Sequence, residues 1–141
     1  MIHLVTGGSG SGKSAYAEQC ILGFGGTRRV YIATMQPFGA EGQARIARHR
    51  KMRAAKQFST TECYTNLKEV ELEPGSDVLL ECMSNLTANE IFDPSGAGKA
   101  RAEEEILAGV SRLAHQARNL VLVTNEIFSD GYRYEEETME Y

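Results

Sequence analysis

The sequence lacks the features that mark several large classes of proteins. It contains no tryptophan, only 3 prolines among 141 residues, and no apolar run near the roughly 20 residues that a membrane-crossing helix requires. Low-complexity segments and internal repeats are also missing, which argues against disordered, fibrous and solenoid chains. The remaining composition, 42% hydrophobic and 24% charged residues, is typical of a folded globular protein without a membrane span.

Cysteine is scarce as well. The chain has 3 cysteines, an odd number, and no two of them form a C-x-x-C pair. This pattern does not support a disulfide framework or a structural zinc site, and we expect reduced thiols that serve packing. Because no basic leader precedes the first apolar segment, we expect a cytoplasmic protein.

An excess of positive charge is missing too. The formal net charge is −4 at pH 7, which argues against a nucleic-acid-binding protein, because such proteins carry a basic surface. One stretch departs from this acidic background. Between residues 41 and 57 it carries six of the 15 lysines and arginines, namely Arg45, Arg48, Arg50, Lys51, Arg53 and Lys56. A basic island in an acidic chain suggests a polyphosphate ligand.

Short runs rich in valine, isoleucine and leucine alternate with segments of helical periodicity. This alternation predicts an α/β fold with a mostly parallel sheet flanked by helices. The predicted strands lie near Ile2–Thr6, Arg29–Thr34, Asp77–Cys82 and Asn119–Thr124, and the predicted helices at Gly12–Phe24, Glu41–Lys56, Asn85–Phe92 and Lys99–Arg118. Because no long linker interrupts the pattern, we expect residues 1–141 to form a single domain.

The clearest motif follows the first predicted strand. It fits the pattern G-x-x-x-x-G-K-[ST] of a phosphate-binding loop, and its residues are Gly7, Gly8, Ser9, Gly10, Ser11, Gly12, Lys13 and Ser14. The glycines let backbone N–H groups surround a phosphate, the lysine reaches the β- and γ-phosphates, and the last serine offers a hydroxyl to Mg²⁺. The alternative is a flexible Gly/Ser turn with an incidental lysine. The preceding strand and the following helix favour a nucleoside triphosphate site.

The basic segment contains a histidine between two arginines. If Glu41–Lys56 is helical, Arg45, His49 and Arg53 recur at four-residue spacing and share one face of the helix. Two neighbouring guanidinium groups favour a neutral imidazole, which is able to attack phosphorus while the arginines hold phosphate oxygens. A histidine on a basic helix is more often an exposed surface residue, and the residues alone leave both interpretations open.

Two acidic residues lie at the ends of predicted strands, at the edge of the sheet where ligands bind. Glu81 ends the run at residues 77–80, and Glu126 follows the run at residues 121–124. A carboxylate in this position often holds Mg²⁺, directly or through water, and we choose Glu81 together with Ser14 for that site. The alternative for Glu81 is an ordinary strand-end residue with no metal role.

With these residues identified, the chain resembles the bifunctional adenosylcobinamide kinase and adenosylcobinamide-phosphate guanylyltransferase family of cobalamin biosynthesis. The resemblance rests on several segments in the expected order, which are Thr6–Gly8 leading into Ser11–Ser14, Tyr31–Thr34, Arg45–Arg50, Leu79–Cys82 and Val123–Glu126. Many kinases share the phosphate loop. The combination of Y-I-A-T with a downstream R-I-x-x-H-R is much narrower.

The resemblance implies a P-loop NTPase-like fold, a homo-oligomer (a trimer) and two activities. The implied enzyme phosphorylates adenosylcobinamide with ATP or GTP and transfers GMP from GTP to adenosylcobinamide phosphate, giving adenosylcobinamide-GDP. In the family the histidine of the R-I-x-x-H-R motif takes up GMP, and His49 occupies that position. The resemblance further implies GTP contacts from residues outside the loop, namely Thr34, Arg50, Lys51, Met52, Arg53, Glu62 and Glu81.

Two departures from the family pattern affect these expectations. Many members have an arginine where this loop has Gly10, and the family continues beyond the point that corresponds to Tyr141. We therefore expect a C-terminally truncated chain that lacks the last helix and strand of the family fold. Two other hypotheses stay open, a P-loop kinase of another small metabolite and a nucleotide-binding module without turnover, and the expected truncation is the feature that keeps the second of these open.

Overall fold

The computed structural model describes residues 2–7, 12–36 and 39–125. Within these ranges the side chains of Glu41, Arg45, His49 and Asn125 lie outside the description. The described part of the chain forms a five-stranded sheet with helices on both of its faces.

The five strands pair in parallel throughout, which confirms the predicted sheet. They are β1 (Ile2–Gly7), β2 (Arg28–Ala33), β3 (Phe58–Glu62), β4 (Ser76–Glu81) and β5 (Asn119–Asn125), in the spatial order β1-β5-β4-β2-β3. Each of the four strands predicted from apolar runs is present, and its ends lie within one residue of the prediction.

Strand β3 is not among the predicted strands. Its sequence is Phe-Ser-Thr-Thr-Glu, and of these residues only Phe58 is buried. β3 pairs with β2 alone among the described strands, so its outer side has no strand to pack against. A strand at such an edge does not need a continuous apolar run, which removes the pattern that identified the other four.

Within the described ranges the helices agree with the prediction in number and order. They are α1 (Lys13–Gly23), α2 (Gly39–Ala55), α3 (Met83–Phe92) and α4 (Ala102–Gln116), with a short 3₁₀ helix at Leu67–Glu69. α4 begins later than predicted because Gly98 has φ +86° and its carbonyl accepts hydrogen bonds from Arg101 and Ala102, which closes a turn first. No helix in the described ranges has both the length and the apolar character of a membrane-crossing segment.

Side chains of β4 alternate between two apolar clusters, one on each face of the sheet. Leu79 packs in the cluster that contains Ile21 of α1, while Leu80 packs in the cluster that contains Leu86 of α3 and Leu113 of α4. Helix α2 lies on the same face as α1. We call these two sides the α1–α2 face and the α3–α4 face.

The neighbouring strands β2 and β4 send the chain to opposite faces of the sheet. β2 leads into α2 on the α1–α2 face, and β4 leads into α3 on the α3–α4 face. Ligands of open parallel sheets bind where the connections diverge in this way, beyond the carboxyl ends of the strands. In this chain that place contains Thr34, which follows β2, and Glu81 and Cys82 at the end of β4.

Candidate active site

The phosphate-loop motif has the strand-and-helix context that the sequence predicted. Gly7 ends β1, and α1 begins at Lys13. Gly12 has φ +84°, a left-handed conformation that favours glycine, and its carbonyl accepts the first helical hydrogen bond from Tyr16 at 3.1 Å. Gly8, Ser9, Gly10 and Ser11 lie outside the described residues. The flanking geometry places the N-terminus of α1, with its positive dipole end, at the carboxyl edge of the sheet.

A cavity of about 140 Å³ lies between α1 and α2, above the sheet. Its walls carry groups of both charges, contributed by α1 (Ser14, Glu18), by the sheet (Tyr31, Glu81), by α2 (Met52, Arg53) and by Lys56, the residue after α2. Four of these residues, Ser14, Met52, Arg53 and Glu81, were predicted from the sequence as nucleotide contacts. The fold therefore brings residues that are up to 67 positions apart to one cleft beside the phosphate loop.

Glu81 has one carboxylate oxygen paired and one unpaired. Its Oε2 accepts a hydrogen bond from the hydroxyl of Tyr31 at 3.1 Å. Its Oε1 is buried and has no hydrogen-bond partner within the described part of the chain. A buried polar oxygen without a partner costs free energy, so this atom is a candidate for contact with a ligand.

Arg53 is held by the ring of Tyr31. Its guanidinium carbon lies 3.6 Å from the ring centroid, a close cation–π contact. Only 6% of Arg53 is exposed, and its Nε has no hydrogen-bond partner among the described residues. A positive charge in this setting is available to an anionic ligand in the cavity.

Tyr31 stands between these two charged residues. Burial raises the pKa of its phenol well above the ordinary value, the negative charge of Glu81 raises it further, and the positive charge of Arg53 opposes both. The phenol is therefore a hydrogen-bond donor rather than a phenolate at neutral pH.

Thr34, predicted as a GTP contact, directs its hydroxyl into the protein. The residue is fully buried, and its Oγ1 donates to the carbonyl of Cys82 and accepts from the amide of Cys82, both at 2.8 Å. Its own carbonyl accepts from Asn89 at 2.7 Å, and its amide donates to the carbonyl of Glu81 at 3.3 Å. Thr34 thus joins the ends of β2 and β4.

Cys82 has the packing role expected of the cysteines. Burial raises the pKa of its thiol above the ordinary value, although the backbone amides of Asn85 and Ser84 and the charge of Lys13 work in the opposite direction. A protonated, buried thiol is a poor nucleophile.

The remaining predicted nucleotide contacts lie further from this cavity. Arg50 of α2 forms an ion pair with Glu62 at the end of β3, beside an open groove of about 430 Å³. Lys51 is exposed on α2. The fold therefore brings the predicted residues Arg50 and Glu62 together beside β3, at the edge of the described sheet.

His49 belongs to α2, four residues before Arg53, but its side chain lies outside the described residues, as does that of Arg45. Glu126 lies outside them entirely. The predicted helix around His49 is confirmed by the backbone.

The arrangement of Ser14 and Glu81 fits a hard divalent cation. No group of three or more histidine, cysteine, aspartate or glutamate side chains in the described ranges forms a metal site made by protein alone. Mg²⁺ at nucleotide sites uses one or two protein oxygens and completes its coordination with phosphates and water. An unpaired carboxylate oxygen in the same cavity as the phosphate-loop serine meets that requirement.

Sequence reasoning missed the contribution of Tyr31. The residue was noticed as part of the Y-I-A-T segment but received no role of its own. Its link to Glu81 depends on the register of β2 and β4, in which Ala33 pairs with Glu81 and Tyr31 lies diagonally across on the same face. A signal was present in the alternation of β2, since an aromatic hydroxyl at an inward position requires a polar partner.

Comparisons with known proteins show the family to which the chain belongs. A family model described as cobinamide kinase / cobinamide phosphate guanyltransferase matches residues 3–141. Two similar proteins, from Escherichia coli strain K12 and Salmonella typhimurium strain LT2, are both named bifunctional adenosylcobalamin biosynthesis protein CobU. Each is 36% identical to this chain over 141 residues, covering 90% of this chain and 76% of the relative. The chain therefore belongs to the cobinamide kinase / cobinamide phosphate guanyltransferase family.

Proposed function

We propose that this chain phosphorylates adenosylcobinamide with ATP or GTP and then transfers GMP from GTP to adenosylcobinamide phosphate, giving adenosylcobinamide-GDP. The observation that carries the proposal is the cavity in which Ser14 of the phosphate loop meets Arg53 and the unpaired oxygen of Glu81. A hydroxyl, a guanidinium and a carboxylate beside a phosphate loop are the groups that phosphoryl transfer uses. Family membership supports cobinamide as the acceptor.

In this proposal the triphosphate binds along residues 7–14. Backbone N–H groups of the loop and of the first turn of α1 bind the phosphates, and Lys13 neutralises the charge on the β- and γ-phosphates. Four residues of α2 and the carboxylate of β3 add contacts to the rest of the nucleotide, namely Arg50, Lys51, Met52, Arg53 and Glu62. Thr34 contributes indirectly, because its hydrogen bonds hold the backbone at Glu81 and Cys82.

Ser14 and Glu81 are the residues we propose to hold Mg²⁺ together with phosphate oxygens. When bound there, the cation would neutralise negative charge on the transferred and departing phosphates.

For nucleotidyl transfer we propose His49 as the nucleophile. A ring nitrogen attacks the α-phosphorus of GTP, a nitrogen–phosphorus bond forms, and the bond from phosphorus to the bridging oxygen breaks so that its electron pair leaves with pyrophosphate. A phosphate oxygen of adenosylcobinamide phosphate then attacks the same phosphorus, and the imidazole departs with its electron pair restored. Arg53, one helical turn from His49 along α2, stabilises the developing charge.

For the kinase step the hydroxyl of the aminopropanol arm of adenosylcobinamide attacks the γ-phosphorus. As the new oxygen–phosphorus bond forms, the hydroxyl proton passes to water, and the nucleoside diphosphate leaves with the electron pair of the broken bond. Lys13 and Arg53 face the same triphosphate in both reactions, so a single set of cations serves both transfers. His49 is required only for the second reaction.

Labelling with GTP tests the covalent step. Folded protein incubated with Mg²⁺ and α-labelled GTP should retain acid-labile label, while γ-labelled GTP should leave none. His49→Ala should lose the label and still phosphorylate adenosylcobinamide. His115→Ala is the matched control, because this histidine of α4 is exposed and its ring forms a hydrogen bond with the carbonyl of Ser111, on an element away from the proposed site. Label that persists in His49→Ala, or no label on folded protein, would overturn the proposal.

We also propose that the enzyme acts as a cytoplasmic homotrimer, as the family resemblance implies. Sedimentation equilibrium of the purified protein should give three times the mass of the 15.5 kDa chain. A monomer at working concentration would contradict this part of the proposal without affecting the catalytic assignments.

A further inference from the structure

The side chain of Tyr31 connects the two charged groups of the cavity. Its hydroxyl donates to Oε2 of Glu81, and its ring supports the guanidinium of Arg53 at 3.6 Å. Tyr31 itself is 7% exposed, so that its ring has little freedom to move. One rigid side chain therefore contacts both the anion and the cation of the site.

The contact with Tyr31 leaves the carboxylate of Glu81 asymmetric. Oε2 is occupied by the phenol, and Oε1 has no partner within the described residues. A glutamate side chain that is unrestrained samples several rotamers, and a single hydrogen bond to one oxygen reduces that freedom. The orientation of Oε1 thus depends on the bond that Oε2 makes.

We propose that Tyr31 is a positioning residue for the active-site carboxylate, holding Oε2 of Glu81 so that Oε1 is presented to the cation that accompanies the nucleotide. The inference rests on the proposed role of Glu81 in cation binding. Groups that hydrogen-bond to a metal ligand from behind orient it and strengthen its binding.

Other contacts already fix the backbone of Glu81 and the ring of Tyr31, so the phenol hydrogen bond determines the orientation of the Glu81 carboxylate. The backbone at Glu81 is already fixed, because the carbonyl of Glu81 accepts from the amide of Thr34 and the next residue is bonded twice to the Thr34 hydroxyl. The ring of Tyr31 is fixed by burial and by Arg53. With both ends held, the remaining freedom is the torsion of the Glu81 side chain, which the hydrogen bond from Tyr31 removes.

The substitution Tyr31→Phe isolates this bond. It removes the hydroxyl and keeps the ring that supports Arg53, so the triphosphate contact should survive. We expect the affinity for Mn²⁺, used as a spectroscopic probe in the presence of GTP, to fall by about tenfold, as for other changes behind a metal ligand. Electron paramagnetic resonance of free Mn²⁺ measures this affinity directly, without turnover. The affinity for GTP in the presence of chelator should stay within twofold.

Two variants keep the result interpretable. Tyr16→Phe removes a hydroxyl from an exposed tyrosine of α1 and should leave Mn²⁺ affinity unchanged. Glu81→Gln should weaken Mn²⁺ binding more than Tyr31→Phe does. If Glu81→Gln weakens binding and Tyr31→Phe does not, the positioning role is overturned while the cation site stands. If Glu81→Gln also leaves Mn²⁺ affinity unchanged, the proposed cation site itself is overturned.

Discussion

Two glutamates on opposite faces of the sheet differ in how many of their carboxylate oxygens have a hydrogen-bond partner. Glu90 of α3 is 1% exposed, and each of its oxygens accepts a hydrogen bond of 2.9 Å from a backbone amide, Oε1 from Ala97 and Oε2 from Asn66. Glu81 on the α1–α2 face has one oxygen paired with Tyr31 and one without a partner among the described residues. The carboxylate of Glu90 is fully hydrogen-bonded within the protein, whereas that of Glu81 has one oxygen that is available to a ligand.

The surroundings of the two residues show the same contrast. On the α3–α4 face Gln116 accepts from the amide of Leu72 at 2.9 Å and donates to the carbonyl of Val70 at 3.1 Å, so it pins a loop to the helix. On the α1–α2 face the Nε of Arg53 is buried and unpaired within the described ranges. Buried polar groups with complete partners stabilise a fold, and incomplete ones in a cavity mark a site of binding.

The largest expected effect comes from the phosphate loop on the α1–α2 face. Lys13→Ala removes the cation that we place on the β- and γ-phosphates. Both transfer reactions should slow by about 10²–10³-fold, as for the loss of other charge-stabilising donors. Steady-state assays with adenosylcobinamide and with its phosphate measure this. If the rates of both reactions fall by less than tenfold, Lys13 does not have the proposed catalytic role.

The two glutamates should differ next in stability. Glu90→Gln places an amide NH₂ against a backbone N–H, so the free energy of unfolding should fall by about 1–3 kcal/mol. Glu81→Gln keeps a carbonyl oxygen that accepts from Tyr31, so the free energy of unfolding should change by less than about 1 kcal/mol. Urea denaturation of both variants provides the measurement. Equal losses of stability in the two variants would contradict the claim that only Glu90 depends on both of its carboxylate oxygens.

A smaller loss should follow from crowding the α3–α4 face. Gly109 of α4 packs so closely that an added Cβ would lie 2.7 Å from the Cβ of Leu67. Gly109→Ala should therefore cost about 1 kcal/mol of stability or more, since overpacking forces side chains and backbone to shift. Gly23→Ala at the end of α1 is the matched control, because its added Cβ would meet no atom within 4 Å. A neutral Gly109→Ala would show that this face is looser than the structure indicates.

The smallest expected effect is a loss of stability at alkaline pH that arises from the thiol of Cys63, which lies near the charge of Glu90. Burial raises the pKa of the Cys63 thiol from 9.0 to about 11, and the charge of Glu90 contributes to the increase. The unfolded thiol loses its proton first, so the stability contributed by Cys63 is complete below about pH 9 and is lost as the pH rises towards about 11. Cys63→Ala should show a shallower decline in urea-measured stability over this range. Parallel curves for the two proteins would exclude the thiol as the cause.

The sequence predicted the parts of the fold that carry their own pattern. Residues 76–80 of β4 are all buried, since helices cover both faces, and Val78, Leu79 and Leu80 form the apolar run that is visible in the sequence. The phosphate loop was identified for a similar reason, because its function requires glycines, a lysine and a serine at fixed spacing. Strand β3 lacks any such pattern, because it lies at an edge of the described sheet.

Partners that are distant in the sequence could not be predicted. Tyr31 meets Glu81, and Glu90 meets Asn66 and Ala97, only because of strand register and helix packing. Thr34 was expected to contact GTP, but its hydroxyl is bonded to the backbone of the residue after Glu81. Residue type alone does not show whether a polar side chain is satisfied by the protein or by a ligand.

Thermal unfolding of Glu81→Gln and Glu90→Gln, each with GTP in the presence of Mg²⁺ and in the presence of chelator, tests the central claim most directly. We predict that Glu81→Gln unfolds at nearly the temperature of the unsubstituted protein but loses the part of the GTP-dependent shift that requires Mg²⁺. Glu90→Gln should unfold at a lower temperature and keep that part of the shift. Retention of the Mg²⁺-dependent shift in Glu81→Gln, or its loss in Glu90→Gln alone, would contradict the assignment of the α1–α2 face as the active site.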